Sequence, residues 1–142
     1  MPNPTMIKFG YPETLIKELD HWAILLRPEQ VTLGSLVLAS RSDATAYSDL
    51  SDQAFAEQAV AVRMIEAALR EFCRYERLNY LMLMMVDPNV HFHVIPRYSE
   101  VRKWQKVEFS DQGWPGPPAL KPAVSLAPDQ ASAMRDGLKQ LF

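Results

Sequence analysis

The sequence predicts a domain of the α+β class, and three observations carry that prediction. Residues 21–26 (HWAILL) and 33–39 (LGSLVLA) are short apolar runs separated by Arg27-Pro28-Glu29-Gln30. Residues 52–76 switch to apolar side chains every three or four positions, the period of a helix. Residues 89–95 (NVHFHVI) alternate without a fault, the period of a strand. At 142 residues the chain has the size of one domain.

Taken in chain order, Pro2, Pro4 and Pro12 fall in a lead-in ending near residue 20, ahead of a domain body expected over residues 20–98. The first two apolar runs read as antiparallel strands joined by a turn, because Pro28 fixes φ and removes a donor. Phe55, Ala59, Val62, Ile65, Leu69 and Phe72 then line one face of a long helix over residues 52–76. Ser51 is its expected N-cap, Asp52 adds negative charge at its positive end, and Glu66 and Arg70 are spaced for an i, i+4 pair. Residues 79–86 (NYLMLMMV) are apolar on both faces, which predicts a strand inside a sheet or under the helix. Asp87-Pro88 should turn the chain tightly, and Pro96 should close the strand over 89–95. Eleven prolines stand against five glycines, and Pro115, Pro117, Pro118, Pro122 and Pro128 crowd one segment, expected to be a loop. A helix over 129–141, with Met134, Leu138 and Leu141 in step, completes the chain. The expected division is residues 1–98 as the main unit and 99–142 as a Pro-rich loop and helix packed on it.

Composition narrows the function classes. Fifteen basic and seventeen acidic residues give a net charge of −2, without the basic footprint of a polymeric nucleic-acid binder. A nucleotide would have to be held at a local site. Cys73 is the only cysteine, which excludes an intramolecular disulfide framework and fits a reducing, cytoplasmic setting. The longest apolar stretch, residues 80–86, is far short of the roughly 20 residues that span a bilayer, and no secretory signal is visible at the start.

Chemistry concentrates on one face of residues 89–95. Val90, Phe92 and Val94 point one way; Asn89, His91 and His93 point the other. Two histidines one residue apart on a strand place their Cβ atoms about 7 Å apart. Three roles fit. The imidazoles could sit half exposed and merely satisfy hydrogen bonds. They could form a metal pair, with His21 or Asp87 as a third ligand. Or one could act as a nucleophile, its other ring nitrogen held by a carbonyl, while its neighbour donates to phosphate oxygens or protonates a leaving group.

The run Asn89-Val90-His91-Phe92-His93-Val94-Ile95-Pro96-Arg97 resembles the signature of the histidine triad family, His, hydrophobe, His, hydrophobe, His and two hydrophobes, often followed by Pro-Arg. The order of elements over residues 20–98 agrees, including a second strand that starts at Gly34, and the similarity is to the diadenosine polyphosphate hydrolase-like branch. The resemblance implies an α+β sandwich with an antiparallel sheet of about five strands, a long helix and a C-terminal helix, its sheet continued across a homodimer. It implies binding of a small nucleotide and cleavage at the α-phosphate of a dinucleoside polyphosphate or nucleoside phosphoramidate, through a nucleotidyl-histidine and without metal or other cofactor. By position, His91 is the nucleophile, His93 binds phosphate and orients the site, and Asn89 stands where the family has its first histidine. Arg27 falls near a ribose-binding position of relatives and could instead pair with phosphate.

The departures from that pattern bear on activity. An amide at Asn89 can donate or fix a neighbour but cannot carry a proton in acid/base work. Ser35 follows Gly34 where many relatives have a fourth histidine, and Asp87-Pro88 replaces a Gly-Gln segment that gives others a polar contact near the phosphates. A nucleotide-binding module of weak or no turnover, or a His-x-His metal-binding protein, is therefore the alternative expectation. His21 reads as a strand-end residue. The aromatic and basic stretch around Trp104 is expected to pack at a dimer contact or to roof the site, and the methionines to fill the core.

Overall fold

The computed structural model describes residues 1–142. A short helix α1 (Pro4–Lys8) leads into strands β1 (Leu15–Glu18), β2 (Trp22–Leu26), β3 (Glu29–Gln30) and β4 (Leu36–Ser40). The long helix α2 (Asp52–Cys73) follows, then β5 (Arg77–Leu81) and β6 (His91–Arg97). The hairpin β7 (Arg102–Trp104) and β8 (Val107–Phe109), β9 (Val124–Ser125) and helix α3 (Pro128–Lys139) complete the chain. Five strands form one antiparallel sheet in the order β1-β2-β4-β6-β5, so the α+β class predicted from the sequence is what forms.

Strands β2 and β4 pair from Trp22 with Ser40 to Leu26 with Leu36, and every residue of both is buried. Alternation divides their side chains between two cores. Trp22, Ile24, Leu26, Leu36 and Leu38 join Ile65 and Leu69 of α2 and Met134 and Leu138 of α3 in the main core. Ala23, Leu25, Val37 and Ala39 face the other way, where Met6 completes a smaller core and Phe9 packs on it. The lead-in is therefore part of the domain. It supplies the edge strand β1 and folds α1 over the face of the sheet opposite α2. The turn before β4 rests on Gln30, whose carboxamide accepts from the amides of Gly34 and Ser35 and donates to the carbonyls of Arg27 and Ser35. Gly34 adopts φ +92°, a conformation that favours glycine, and a Cβ there would also press on Leu69 Cδ2 at 3.2 Å.

Helix α2 starts as its sequence suggests, with Ser51 Oγ accepting from the Ala54 amide at 3.1 Å. It ends at Cys73, short of residue 76, because Arg74 takes a left-handed conformation (φ 49°). Arg102 then donates to the carbonyls of Cys73 and Arg74 at 2.8 Å each, a cation placed at the negative end of the helix. Its guanidinium also stacks 4.6 Å from the Tyr98 ring centre. The basic and aromatic stretch around Trp104 is thus a hairpin braced on the end of α2, away from the histidines. The Glu66–Arg70 pair does not form: Glu66 accepts from the Tyr80 hydroxyl at 3.0 Å, and Arg70 reaches the Tyr75 hydroxyl.

The run expected as an inner strand is corrected most. The strand covers Arg77–Leu81 and lies at the sheet edge, while residues 82–90 connect it to β6 outside the sheet. Tyr80 pairs with Val94, which puts its ring on the α2 side within reach of Glu66, and Leu81 pairs with His93. A tight turn at Asp87-Pro88 would pair Leu81 with Val94 instead and flip every side chain, so the Tyr80 anchor and a tight turn exclude one another. Pro96 does not close β6, which runs on to Arg97. Strand β4 stops pairing at Val94, so no neighbour on that side needs an amide from Pro96.

Arg97 joins the later residues to this end of the sheet. Its guanidinium donates to Asp111 at 2.6 and 3.2 Å, to Asn79 Oδ1 at 2.7 Å and to the Gly116 carbonyl at 2.8 Å. Strand β9 pairs with β3, and α3 packs on β1 and β2. No helix is long and apolar enough to cross a membrane.

Candidate functional site

Strand β6 sends Phe92 and Val94 into the main core and His91 and His93 to the opposite face, as alternation requires. The two imidazoles lie 5.2 Å apart, centre to centre, and almost perpendicular at 80°. Phe9, delivered by the turn after α1, packs against both, with ring centres 5.5 and 5.6 Å away. His91 Nδ1 lies 2.7 Å from the carbonyl oxygen of Asn89. A carbonyl only accepts, so the ring proton sits on Nδ1 and the lone pair of Nε2 is left free for attack.

Asn89 thus reaches His91 through its backbone. Its side chain is turned to α1 and the loop before α2: Oδ1 accepts from the amide and hydroxyl of Thr5 at 3.3 and 3.1 Å, and Nδ2 donates to the Asp43 carbonyl at 3.2 Å. The amide at this position anchors the N-terminal cover in place of working as an acid or base. Asn3 adds to that anchor by donating to the carbonyls of Ser40 and Ser42 at 2.7 Å each.

His93 is 9% exposed, and its Nδ1 has no hydrogen-bond partner. Burial, reinforced by the charges of Arg27 and His91 and opposed by Asp87, pushes its pKa down to about 4. Arg27 is half-buried at the end of β2 and donates from one terminal nitrogen to the Glu29 carbonyl at 2.7 Å, while its buried Nε has no partner. Burial also lowers its pKa. The structure therefore gathers His91, His93 and the charge of Arg27 on one face. Ser35 stays out of it: its hydroxyl donates to the Thr32 carbonyl inside the turn. His21 stands at the start of β2, where its amide donates to Glu57. No group of three His, Cys, Asp or Glu side chains gathers to hold a metal, so neither His21 nor Asp87 completes a ligand set with the pair.

Two cavities lie near the histidines, one lined by both imidazoles and the other by Phe9, which packs on them. A cleft of about 250 Å³ is lined by Lys8, Phe9, Gly10, Arg27, Pro28 and Glu29. A pocket of about 120 Å³ lies between residues 83–87 and the two imidazoles. The largest groove, about 720 Å³, is elsewhere, along β5 and residues 114–118. Phe9 and Lys8 are the site residues that sequence reasoning missed. The available signal was an apolar spacing at Met6, Phe9 and Leu15 around Gly10, hidden by the prolines that mark the segment as a lead-in.

This fold, with paired histidines on the second strand after a long helix, is the fold of histidine triad proteins. The chain superposes on a histidine triad protein from Sinorhizobium meliloti with a TM-score of 0.77, at 17% identity over 100% of this chain and 96% of that one. A histidine triad protein from Marinobacter aquaeolei gives a TM-score of 0.71, at 21% identity over 89% and 86%. Plasmodium falciparum diadenosine triphosphate hydrolase gives 0.65, at 10% identity over 91% and 76%. No protein-family model and no curated protein matches the sequence.

Proposed function

We propose that this chain is a nucleotide-binding protein of the histidine triad type that hydrolyses or transfers nucleotidyl groups through His91. The observation that carries this reading is the 2.7 Å contact between His91 Nδ1 and the Asn89 carbonyl, which prepares Nε2 as a nucleophile although Asn89 lacks an imidazole. In the first step Nε2 bonds to the α-phosphorus while the bond to the leaving oxygen or nitrogen breaks and takes its electron pair. Water then attacks the phosphorus, the P–N bond returns its pair to His91, and a nucleoside monophosphate is released with a proton. Phosphoryl chemistry of this kind depends on positioning and on donors aimed at the non-bridging oxygens. His93 and Arg27 are those donors, and the unpartnered His93 Nδ1 and Arg27 Nε support the assignment. Asn89 is a positioning residue, and the cleft between Phe9 and Arg27 holds the nucleoside and its phosphate.

The protein works as a homodimer in this reading, through the outer edge of β5, whose backbone has no strand partner on that side. The reducing, cytoplasmic setting belongs to the same proposal. Incubation with dinucleoside polyphosphates and nucleoside phosphoramidates tests the enzyme. Turnover that His91→Ala reduces by at least 1000-fold is the expected result; binding retained with no turnover above that variant would establish a non-catalytic nucleotide-binding module instead.

A further inference from the structure

The two cavities beside the histidines differ in chemistry. The larger presents two cations, Lys8 and Arg27, one carboxylate, Glu29, and an aromatic ring. The smaller is lined by Leu83, Met84, Met85 and Val86, with Asp87 and the two imidazoles as its polar residues. Leu83, Met85 and Val86 are 46%, 85% and 81% exposed, so these side chains are not core filling. Leaving the sheet at Leu81, with Met84 in a left-handed conformation (φ 53°), the chain sets them as an apolar lip directly beside the buried imidazoles.

An in-line attack by His91 needs two sides to the reacting phosphorus, one for the nucleoside and one for the group that departs. The cationic, aromatic cleft suits the nucleoside and its phosphate. The lip itself carries no lysine or arginine, and its one carboxylate, Asp87, is engaged by the Lys8 ammonium of the neighbouring cleft at 3.9 Å. A second phosphate placed there would lose hydration with no donor beyond the two imidazoles, which in this reading already serve the reacting phosphorus. The pocket, at about 120 Å³, is instead near the size that holds one benzene-like ring, and methionines adapt to such a guest.

Building on the nucleotidyl-transfer reading, we propose that residues 83–87 form the leaving-group subsite and that the substrate is a nucleoside 5′-monophosphate esterified to an uncharged, apolar aryl group. His93 is held largely neutral by its burial, which favours a group that departs as an anion without first taking a proton. His91 Nε2 bonds to phosphorus as the P–O bond to the ring breaks, and the electron pair leaves on the aryloxide. Water then releases the nucleoside monophosphate and a proton.

The test compares the phenyl and 4-sulfophenyl esters of adenosine, guanosine and uridine 5′-monophosphates, together with diadenosine triphosphate, on the full chain and on Met85→Lys and His91→Ala. The sulfonate makes the phenol a slightly better leaving group, so intrinsic reactivity opposes the expected order. The wild-type chain should show kcat/KM at least tenfold higher for a phenyl ester than for its sulfonated counterpart, and Met85→Lys should cut that ratio below threefold. A sulfonated ester used as well or better, a ratio that Met85→Lys leaves intact, or turnover confined to diadenosine triphosphate would overturn the subsite while leaving His91 chemistry standing. Turnover of none of these compounds, or turnover that survives His91→Ala, would remove the nucleotidyl-transfer reading itself.

Discussion

Two arginines that end apolar strands, Arg27 after β2 and Arg97 in β6, have opposite surroundings. Arg97 is buried, and all three of its guanidinium nitrogens are bonded, to Asp111, Asn79 and Gly116. Arg27 is half-buried with its Nε unpartnered, and the same holds for Nδ1 of His93, on which its charge acts. A buried polar group usually finds a partner, so a satisfied one is architecture and an unsatisfied one needs a separate explanation. Strand β6 carries both kinds within seven residues: its end at Arg97 ties the chain together, and its start at His91 faces the cavities.

The largest effect should come from breaking the satisfied end. Arg97→Ala strands the Asp111 carboxylate, which is 2% exposed, and should cost about 3–5 kcal/mol in denaturant unfolding. A loss below about 1 kcal/mol would erase the distinction drawn between the two arginines. The second effect follows from pH. His93 has a folded pKa of about 4 against 6.5 for an ordinary histidine, so the unfolded chain binds more protons between those values. Its contribution is present above pH 6.5 and is lost as pH falls toward 4, on the order of 2 kcal/mol. Unfolding followed across that window should show a slope that His93→Gln flattens; an unchanged slope would assign it to other groups. The smallest stability effect is expected at Arg27. Arg27→Gln should alter unfolding by under about 1 kcal/mol, since it removes one exposed bond to a carbonyl, yet weaken nucleotide binding about tenfold. Calorimetric titration with a nucleoside monophosphate checks both halves of that contrast.

Some features were legible because they depend on neighbours in sequence. The period of residues 52–76 and the Ser51 cap predicted α2, and the alternation at 89–95 predicted which side chains face the helix and which face the site. Tyr80, Asn89 and Phe9 were not legible in this way. The register of β5 depends on the Tyr80 hydroxyl meeting Glu66, fourteen residues earlier. Asn89 looks like a weakened catalytic residue until Thr5, eighty-four residues away, is seen to occupy its side chain. Phe9 belongs to a Pro-flanked segment that reads as a lead-in ahead of the domain body, and only its folding back over β6 makes it part of the site.

By itself, then, the sequence determined the fold class and put His91 and His93 on one face, since periods of two and 3.6 are properties of the local backbone. Tertiary structure decided what that face can do. It left His93 Nδ1 and Arg27 Nε unpaired, aimed the Asn89 carbonyl at His91, set an apolar lip against the imidazoles and opened a cationic cleft between Phe9 and Arg27. Burial, hydrogen-bond satisfaction and charge depend on which distant segments meet, and a one-dimensional pattern does not encode those meetings.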